Sequence, residues 1–417
     1  MNENIKKIDV AFIGAGGYAF EIIKRMWDLP EVYNIVAVYS LPGYKALGLT
    51  ECIKRNIPIH NDLSKMLNEL RGKVETIFIP TSIYSHYELA KQCIEAGFNV
   101  FVEKPPVAVI QDYDDLRDCL AKNDKKGAIG FQYLYTYILQ RIKRYICSGK
   151  YGKVKRVRSF GAWIRYESYY KNTEWGGKAK CNDRWVLDGS INNALAHMVS
   201  NSLYLASDKQ MSMAVPETVQ AELYSIHDIE GEDTCSIRVV TDQGVEIIMN
   251  TTHCCENDSC VETVIECEKA VITYTDFEHC IIKVNDKVVE EFEDKSEHRI
   301  FMLRSIAETL CADNDFCADI KNCRAFTLTV NSAYESSGGV ERIDDIYIQK
   351  SPYFDTTKRV LAGIDEDIQL AHKQGKLFSE CGFDWAVETK PFNCSGYNFF
   401  PSSAELENKL IRELVKA

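Results

Sequence analysis

The sequence IDVAFIGAGGYA occupies residues 8–19 and decides the fold of the N-terminal part of the chain. The apolar run IDVAFI ends in the pattern G-x-G-x-x-A, and helical periodicity follows directly. In such a turn the first glycine permits a tight bend and the second lets the backbone approach a pyrophosphate. The third small residue lets helix and strand pack closely. The pattern therefore predicts a dinucleotide-binding strand, turn and helix.

The glycine turn and the next strand supply the candidate cofactor contacts. Those in the turn are Gly14, Gly16, Gly17, Tyr18 and Ala19. The second apolar run, residues 34–40, ends in Ser40, where NAD sites usually have an Asp or Glu that binds the ribose. Serine can contact a ribose hydroxyl or a 2′-phosphate, and the nearest basic residue is Lys45. The sequence therefore predicts NAD or NADP and leaves both open.

Two patterns of apolar residues divide the chain. Up to residue 129, strand-like runs alternate with helical segments, which predicts an α/β Rossmann domain with a doubly wound parallel sheet over 1–129. Beyond it, strand-like runs follow one another between tight-turn sequences. We predict a C-terminal α+β domain over 130–417 with a large open, mostly antiparallel sheet. Its last part, from about 345 to 417, reads as a helical extension.

Composition narrows the class of protein. The 417 residues carry a formal net charge of −12 and contain no basic tract, which disfavours nonspecific binding to nucleic acid or to anionic membranes. The N-terminus lacks the long apolar core of a signal peptide, and no apolar stretch is long enough to span a bilayer. We therefore expect a cytoplasmic protein.

The 16 cysteines are scattered, and in a chain of this size without a leader we expect reduced thiols. The densest patch has His253, Cys254 and Cys255, followed by Cys260 and Cys267. It lacks the paired spacings typical of zinc sites, and adjacent cysteines on a strand would point to opposite faces. No metal site is predicted.

Three further segments carry a family resemblance. They are TSIYSHYELAKQCIEAG at 81–97, FVEKPP at 101–106 and SAYESS at 332–337. Together with the glycine turn they resemble the Gfo/Idh/MocA oxidoreductases, although Ser82 replaces the usual proline. The resemblance implies a Rossmann domain followed by an open-sheet domain. It also implies cofactor contacts from Thr81, His86, Glu103 and Lys104. The implied reaction transfers hydride between nicotinamide and a hydroxyl-bearing carbon of a sugar, polyol or derivative.

Lys104 matches the catalytic lysine implied by the resemblance. An ammonium near the reacting oxygen would stabilise a developing alkoxide and help to remove the hydroxyl proton. The segment SINNALAHMVSN at 190–201 then places His197 on the family histidine and Asn193 where the family has an aspartate. Histidine is suited to exchange the hydroxyl proton, whereas asparagine can only hydrogen-bond. Asp188 is a secondary candidate for the missing carboxylate.

Helical spacing predicts how this segment is oriented. Residues four apart share a helix face, so Asn193, His197, Ser200 and Tyr204 form a polar stripe, and Ser190 is a plausible N-cap. The stripe either lines the substrate cleft or faces solvent, and the match to the family favours the cleft.

The segment at 161–188 interleaves aromatic and polar residues, which suits stacking on sugar rings. Its candidate substrate contacts are Arg165, Tyr166, Tyr170 and Trp175. The alternative is that these aromatic residues pack a loop onto the core.

The sequence therefore predicts an NAD(P)-dependent dehydrogenase acting on CH–OH groups. One alternative is a redox-neutral cycle of sugar elimination or glycoside cleavage. Another is a non-catalytic dinucleotide-binding regulator, against which Lys104 and His197 argue. We expect a carbohydrate or polyol substrate and a homo-oligomer, either a dimer or a tetramer, because open sheets of such domains often pair between subunits.

Overall fold

The computed structural model describes residues 6–411, which divide into two compact units. Within that range the first unit consists of residues 6–107, 112–136 and 296–323, and the second holds the remainder. The predicted domains were continuous segments that met at residue 129. The units are discontinuous because residues 296–323 return to the first one.

The first part of the chain builds a parallel sheet. Its elements are β1 (Ile8–Ile13), α1 (Tyr18–Trp27), β2 (Tyr33–Tyr39), α2 (Leu47–Lys54), β3 (Ile59–His60), α3 (Leu63–Leu70), β4 (Thr76–Ile79), α4 (Ile83–Glu95), β5 (Asn99–Val102), α5 (Ile110–Lys122) and β6 (Gly127–Ile129). The six strands are all parallel, in the order β3-β2-β1-β4-β5-β6. All residues of β4 and β6 are buried, as expected for a sheet covered on both faces. The order reverses between β1 and β4, which is where such folds bind ligands.

The middle of the chain, residues 137–295, forms most of the second unit. Its elements are α6 (Tyr137–Cys147), β7 (Val154–Ala162), α7 (Glu167–Lys171), β8 (Lys180–Cys181), β9 (Arg184–Trp185), a π-helical turn (Ser190–Ala194), α8 (Ala196–Ala206), β10 (Pro216–Ser225), β11 (Thr234–Thr241), β12 (Glu246–Thr252), β13 (Glu262–Cys267), β14 (Val271–Thr275), β15 (His279–Val284) and β16 (Lys287–Glu293). Helix α8 packs on β7, β12 and β13, and all of its residues are buried.

The last part of the chain contributes to both units. Its elements are α9 (His298–Ala312), α10 (Arg324–Ser337), β17 (Glu341–Arg342), β18 (Ile348–Tyr353), β19 (Thr356–Leu361), α11 (Ile364–Gln374), β20 (Phe392–Asn393) and α12 (Ala404–Leu410). The hairpin of β18 and β19 was not predicted in the helical extension. Strand β18 is almost wholly exposed, so it lacks the alternating apolar pattern that identifies a strand. Residues 412–417 lie outside the described residues.

The sheet of the second unit has ten strands. They run in the order β16-β15-β14-β13-β7-β12-β11-β10-β17, and β20 also pairs with β10. The pairs β7 with β12 and β10 with β17 are parallel and the others are antiparallel. The predicted fold class, a parallel Rossmann sheet followed by a mostly antiparallel sheet, is confirmed.

Most of the cysteines are buried or partly buried, and Cys260 and Cys311 are exposed. All 16 lie within the described residues, and all are free. Cys254 and Cys255 follow β12 rather than lying within it, and both pack in one apolar cluster with Phe160 and Leu361. The expectation that they point to opposite faces of a strand is therefore wrong. Within residues 6–411, no helix combines the length and apolar character needed to cross a bilayer.

Candidate active site

The glycine turn joins β1 to α1 with the geometry that its sequence predicts. Gly14 has φ +92°, a conformation that favours glycine, and its N–H donates to the Tyr39 carbonyl at 2.8 Å. A Cβ on Gly16 would lie 2.2 Å from the hydroxyl of Tyr44. Ala19 is buried against the sheet. The positive φ of Gly14 and the close approach of Tyr44 to Gly16 require glycine at both positions, and the turn directly before α1 has the form of a dinucleotide-binding turn. The approach of Tyr44 could not be predicted, because nothing in the loop sequence indicates it.

Tyr18 opens α1, and its hydroxyl donates to Gln132 Oε1 at 2.7 Å. Burial and the negative charge of Glu103 raise the pKa of this hydroxyl, so it stays protonated and acts as a donor. Gln132 lies in the short 3₁₀ helix at 132–135, which follows β6. Tyr18, Glu103 and Gln132, which lie far apart in sequence, therefore come together beside the glycine turn.

The end of β2 has no acidic side chain. Ser40 is buried, and its hydroxyl lies 3.4 Å from the Leu41 carbonyl oxygen. The Ser40 carbonyl accepts from Asn61 Nδ2 at 2.9 Å. A carboxylate that would bind a ribose 2′-hydroxyl or repel a 2′-phosphate is therefore missing at this strand end.

His86 lies where it cannot touch a ligand. Its ring is fully buried, with Nδ1 2.8 Å from the Pro105 carbonyl oxygen and Nε2 3.0 Å from that of Thr81. Burial lowers the pKa of His86 to about 4, so the neutral ring carries one N–H and donates to one of these carbonyls. The prediction that His86 contacts the cofactor is corrected: it ties the segment after β4 to the segment after β5. Thr81 is half-buried at that same strand end.

Glu103 and Lys104 follow β5 directly. The Lys104 N–H donates to Glu103 Oε2 at 2.9 Å, and burial raises the pKa of Glu103 to about 7. Gly130 leaves the space for this carboxyl group, because a Cβ there would lie 2.3 Å from Oε1. Lys104 itself is half-buried, and its bond to Pro105 is cis. Glu103 therefore orients the backbone of Lys104.

In the second unit, a π-helical turn positions Asn193. The Leu195 N–H donates to the Ser190 carbonyl at 2.7 Å, an i to i−5 bond of the kind found at functional sites. Asn193 Nδ2 donates to Asp188 Oδ1 at 2.7 Å and lies 3.3 Å from the Tyr169 hydroxyl oxygen. The second oxygen of Asp188 accepts from the Gly177 N–H at 2.6 Å. Asp188 is thus brought to Asn193, as the sequence suggested, and the structure adds Tyr169.

The buried Glu232 side chain fixes this turn through hydrogen bonds. Its Oε1 accepts from the Ile191 N–H at 2.9 Å, and its Oε2 accepts from the Tyr334 hydroxyl at 2.6 Å. Burial raises the pKa of Glu232 to about 7. Sequence reasoning missed this residue. The family segment at 332–337 contains its partner Tyr334, but no local pattern links the two positions.

His197 lies in the first turn of α8 and is 9% exposed. The predicted polar stripe is not continuous along this segment. Ser200 donates to the His197 carbonyl at 3.0 Å, and the Tyr204 hydroxyl donates to the Gln210 carbonyl. The π turn lies before α8, so Asn193 no longer shares the helical spacing that relates His197, Ser200 and Tyr204 within α8. Every residue of α8 is buried, which argues against solvent exposure of His197, Ser200 and Tyr204, whereas Asn193 is half-buried.

Ser190 is not an N-cap. Its hydroxyl lies 2.7 Å from Thr251 Oγ1 and 3.3 Å from Glu232 Oε1, and no side-chain cap bond forms at this turn. The hydroxyl therefore anchors the turn to β12 and to Glu232.

The predicted substrate-binding residues of the aromatic segment at 161–188 lie in two different environments. The Arg165 guanidinium lies 4.8 Å from the centroid of the Tyr169 ring, and Tyr166 stacks on Tyr353 at 4.2 Å. The side chains of Arg165, Tyr166 and Trp175 are half-buried. Tyr170 instead lies in the interior, with its ring 5.0 Å from that of His227. The structure thus opposes a substrate contact by Tyr170, whereas those of Arg165, Tyr166 and Trp175 stay predictions.

The N-terminal domain that carries the glycine turn is similar to a known family of proteins. Residues 8–131 match the family model described as an oxidoreductase family with an NAD-binding Rossmann fold, Gfo/Idh/MocA. The chain carries a dinucleotide-binding domain of the oxidoreductase class. This domain is similar to the Gfo/Idh/MocA oxidoreductases, as its motifs predict.

Relatives and solved structures extend the comparison. The chain is 30% identical to the uncharacterized oxidoreductase YhhX of Escherichia coli over 163 residues, which are 38% of this chain and 45% of YhhX. It is 21% identical to inositol 2-dehydrogenase of Serratia proteamaculans over 209 residues, 50% and 57% of the two chains. The chain thus spans about half the length of these curated relatives. The WlbA dehydrogenase of Chromobacterium violaceum, solved with NADH and UDP-GlcNAcA, shares the fold. Its TM-score is 0.66 at 20% identity, over 80% of this chain and 94% of that one.

The raised pKa of Glu232 predicts a pH-dependent stability. Below pH 4.5 the carboxyl is protonated in the folded and the unfolded chain. As the pH rises through about 7, the unfolded chain releases this proton more readily, so stability is lost. Glu232→Gln removes this ionisation. Between about pH 5 and pH 8, the unfolding free energy of the wild type should fall by about 2–3 kcal/mol more than that of Glu232→Gln.

Urea unfolding at the two pH values measures this difference. Glu103, whose pKa is also about 7, contributes equally to both proteins. The matched control is Glu388→Gln at an exposed position, which should keep the wild-type pH dependence. An unchanged pH dependence in Glu232→Gln would contradict the assignment.

Proposed function

We propose that the protein is an NAD(P)-dependent dehydrogenase that transfers hydride between nicotinamide and a hydroxyl-bearing carbon of a sugar, polyol or derivative. The observation that carries the proposal is the half-buried Lys104, directly after β5 of a Rossmann sheet whose β1 leads into the glycine turn. Ligands of such sheets bind at the carboxyl ends of the strands. The cofactor is NAD or NADP, because Ser40 neither binds a ribose as a carboxylate would nor repels a 2′-phosphate.

Lys104 is the proposed catalytic cation. Its backbone is fixed by Glu103 Oε2, and its ammonium would stabilise negative charge on the substrate oxygen while the C–H bond breaks. Hydride acceptance or donation is the chemistry that the nicotinamide supplies when bound. Gly14, Gly16 and Ala19 would hold the phosphates and pack the helix that faces them.

His197 is the proposed group that exchanges the hydroxyl proton in the same reaction. Its place in the first turn of α8 follows the π turn that carries Asn193. The Asp188 carboxylate accepts from both Asn193 and the Gly177 N–H. We therefore assign Asp188 to positioning the Asn193 amide rather than to the catalytic role considered from the sequence. The amide would in turn orient a substrate hydroxyl.

The substrate class rests on the family and on chemistry. Relatives are named inositol 2-dehydrogenase, and one structural neighbour was solved with UDP-GlcNAcA. Amide, hydroxyl and guanidinium donors in the second unit suit a polyhydroxylated ring. A homo-oligomer stays a prediction.

Lys104→Met should lower turnover by about 10²–10⁴ because the ammonium is removed from the reacting oxygen. Cofactor reduction, followed by absorbance across a panel of sugars and polyols, measures the loss. Calorimetry with NAD⁺ or NADP⁺ measures separately how much the predicted cofactor contact of Lys104 contributes to binding. Lys122→Met, at an exposed position in the same unit, is the matched control. Near-wild-type turnover by Lys104→Met would defeat the assignment.

Asn193→Asp should make turnover pH-dependent in a new way. The new carboxyl would lie within hydrogen-bond distance of Asp188, so the pair would share a proton at low pH and repel at high pH. We expect kcat/KM to fall roughly tenfold as this proton is lost and to recover on acidification. The pH profile of kcat/KM measures the effect.

Asn172→Asp, at an exposed position, is the control and should leave the profile unchanged. If Asn193→Asp also left the profile unchanged, Asn193 would have no role in positioning the substrate.

A further inference from the structure

A second cluster of reactive side chains lies in the interior of the second unit. His227 Nδ1 is 2.8 Å from Asp233 Oδ2 and 3.8 Å from Cys254 Sγ. One ligand atom from each residue lies within 4.8 Å of the others. All three side chains are at most 1% exposed. The reaction proposed above uses none of them.

The backbone holds the cluster in place. Asp233 Oδ2 accepts from the N–H groups of Ile226 and His227, which closes the turn before β11. The Cys254 N–H donates to Thr252 Oγ1 at 3.0 Å, directly after β12. Two segments distant in sequence therefore present their ligand atoms to one point.

Three buried polar atoms at or beside the cluster have no hydrogen-bond partner among residues 6–411. They are Asp233 Oδ1, the Tyr170 hydroxyl oxygen and His227 Nε2. Tyr170 packs its ring 5.0 Å from that of His227, and the charges of Asp233 and Cys254 add to the burial that raises its pKa. A buried carboxylate oxygen without a donor is costly, so this environment is suited to a bound cation.

We propose that His227, Asp233 and Cys254 bind a zinc ion. Imidazole nitrogen, carboxylate oxygen and thiolate sulfur are all zinc ligands, whereas Mg²⁺ and Ca²⁺ select oxygen. With Zn–S near 2.3 Å and Zn–N near 2.0 Å, tetrahedral ligand atoms lie about 3.5 Å apart, close to the observed separation of Cys254 Sγ and His227 Nδ1.

Charge and protons balance at this site. The Cys254 thiol releases its proton to solvent on binding, and the His227 Nδ1 proton moves to Nε2. The thiolate and the Asp233 carboxylate then neutralise the two charges of Zn²⁺, which makes the buried complex neutral. Asp233 Oδ1 would bind the ion while Oδ2 keeps its backbone donors. The Tyr170 hydroxyl is the candidate for the fourth position.

The cysteine patch found in the sequence is only partly involved. His253 donates from Nδ1 to the Trp163 carbonyl oxygen at 2.7 Å, and burial lowers the pKa of His253 to about 3. Cys255 is buried beside Cys254 but outside the cluster. His227 and Asp233 lie far from this patch in sequence, so ligand spacing could not reveal the site.

The metal content of the full-length protein tests the proposal. After expression in zinc-supplemented medium and gel filtration, mass spectrometry of the elements should find one zinc ion per chain. Cys254→Ser and Asp233→Asn should lose it, whereas the matched control Cys255→Ser should keep it. Cobalt substitution should give a thiolate-to-metal charge-transfer band in the wild type and in Cys255→Ser, but not in Cys254→Ser.

The wild type alone also decides the question if a variant fails to fold. Metal-free protein, prepared by unfolding with a chelator and refolding, should gain Tm on titration with Zn²⁺ and saturate at one equivalent. Zinc-free wild type from supplemented medium, or no gain in Tm, would overturn the proposal. Equal zinc retention by Cys254→Ser and Cys255→Ser would also overturn it. None of these readouts depends on the proposed dehydrogenase activity.

Discussion

A buried carboxylate, Glu232, is the constraint on which the candidate site of the second unit depends. Its two oxygens accept hydrogen bonds from the Ile191 N–H and from the Tyr334 hydroxyl. Gly189 leaves space for it, because a Cβ there would lie 1.8 Å from Oε2. A buried acid is costly unless donors satisfy it, so the turn must adopt the geometry that presents those donors. In that geometry Asn193 donates to Asp188. The turn is followed by α8, whose first turn carries His197.

The adjacent Asp233 has different partners, namely His227 and the backbone of the turn at 226–227. Two consecutive acidic residues, Glu232 and Asp233, therefore fix two separate sites in one unit. One supports the residues that we assign to catalysis, and the other forms the proposed zinc site. Since both carboxylates are buried, the stability of this region depends on which ions and protons accompany them.

The first unit was largely predictable because its signals are local. A strand, a glycine turn and a helix are adjacent in sequence, and Lys104 directly follows an apolar strand. The approach of Tyr44 to Gly16 and the contact between Tyr18 and Gln132 were not predictable, because they join segments that only the folded sheet brings together. His86 was assigned to the cofactor from a motif, but burial of its ring changes that role.

The second unit was predictable in class but not in detail. Runs of β-branched residues indicated the antiparallel sheet. The segment at 190–206 was expected to be one regular helix, since helical spacing cannot reveal a π turn imposed by Glu232. The hairpin of β18 and β19 was not predicted because β18 is exposed and β19 has buried apolar residues only at its end. The site residues Tyr169, Glu232 and Tyr334 are linked only by tertiary contacts.

The central claim is that hydride moves between a substrate carbon and the nicotinamide. Mass spectrometry can follow the label when the wild type acts on sugars and polyols deuterated at each hydroxyl-bearing carbon, with NAD⁺ or NADP⁺ in excess. We expect deuterium from one carbon to accumulate in the nicotinamide ring of the released, reduced cofactor. Deuterium that returned to the product or passed to water, with no labelled cofactor released, would contradict net dehydrogenation.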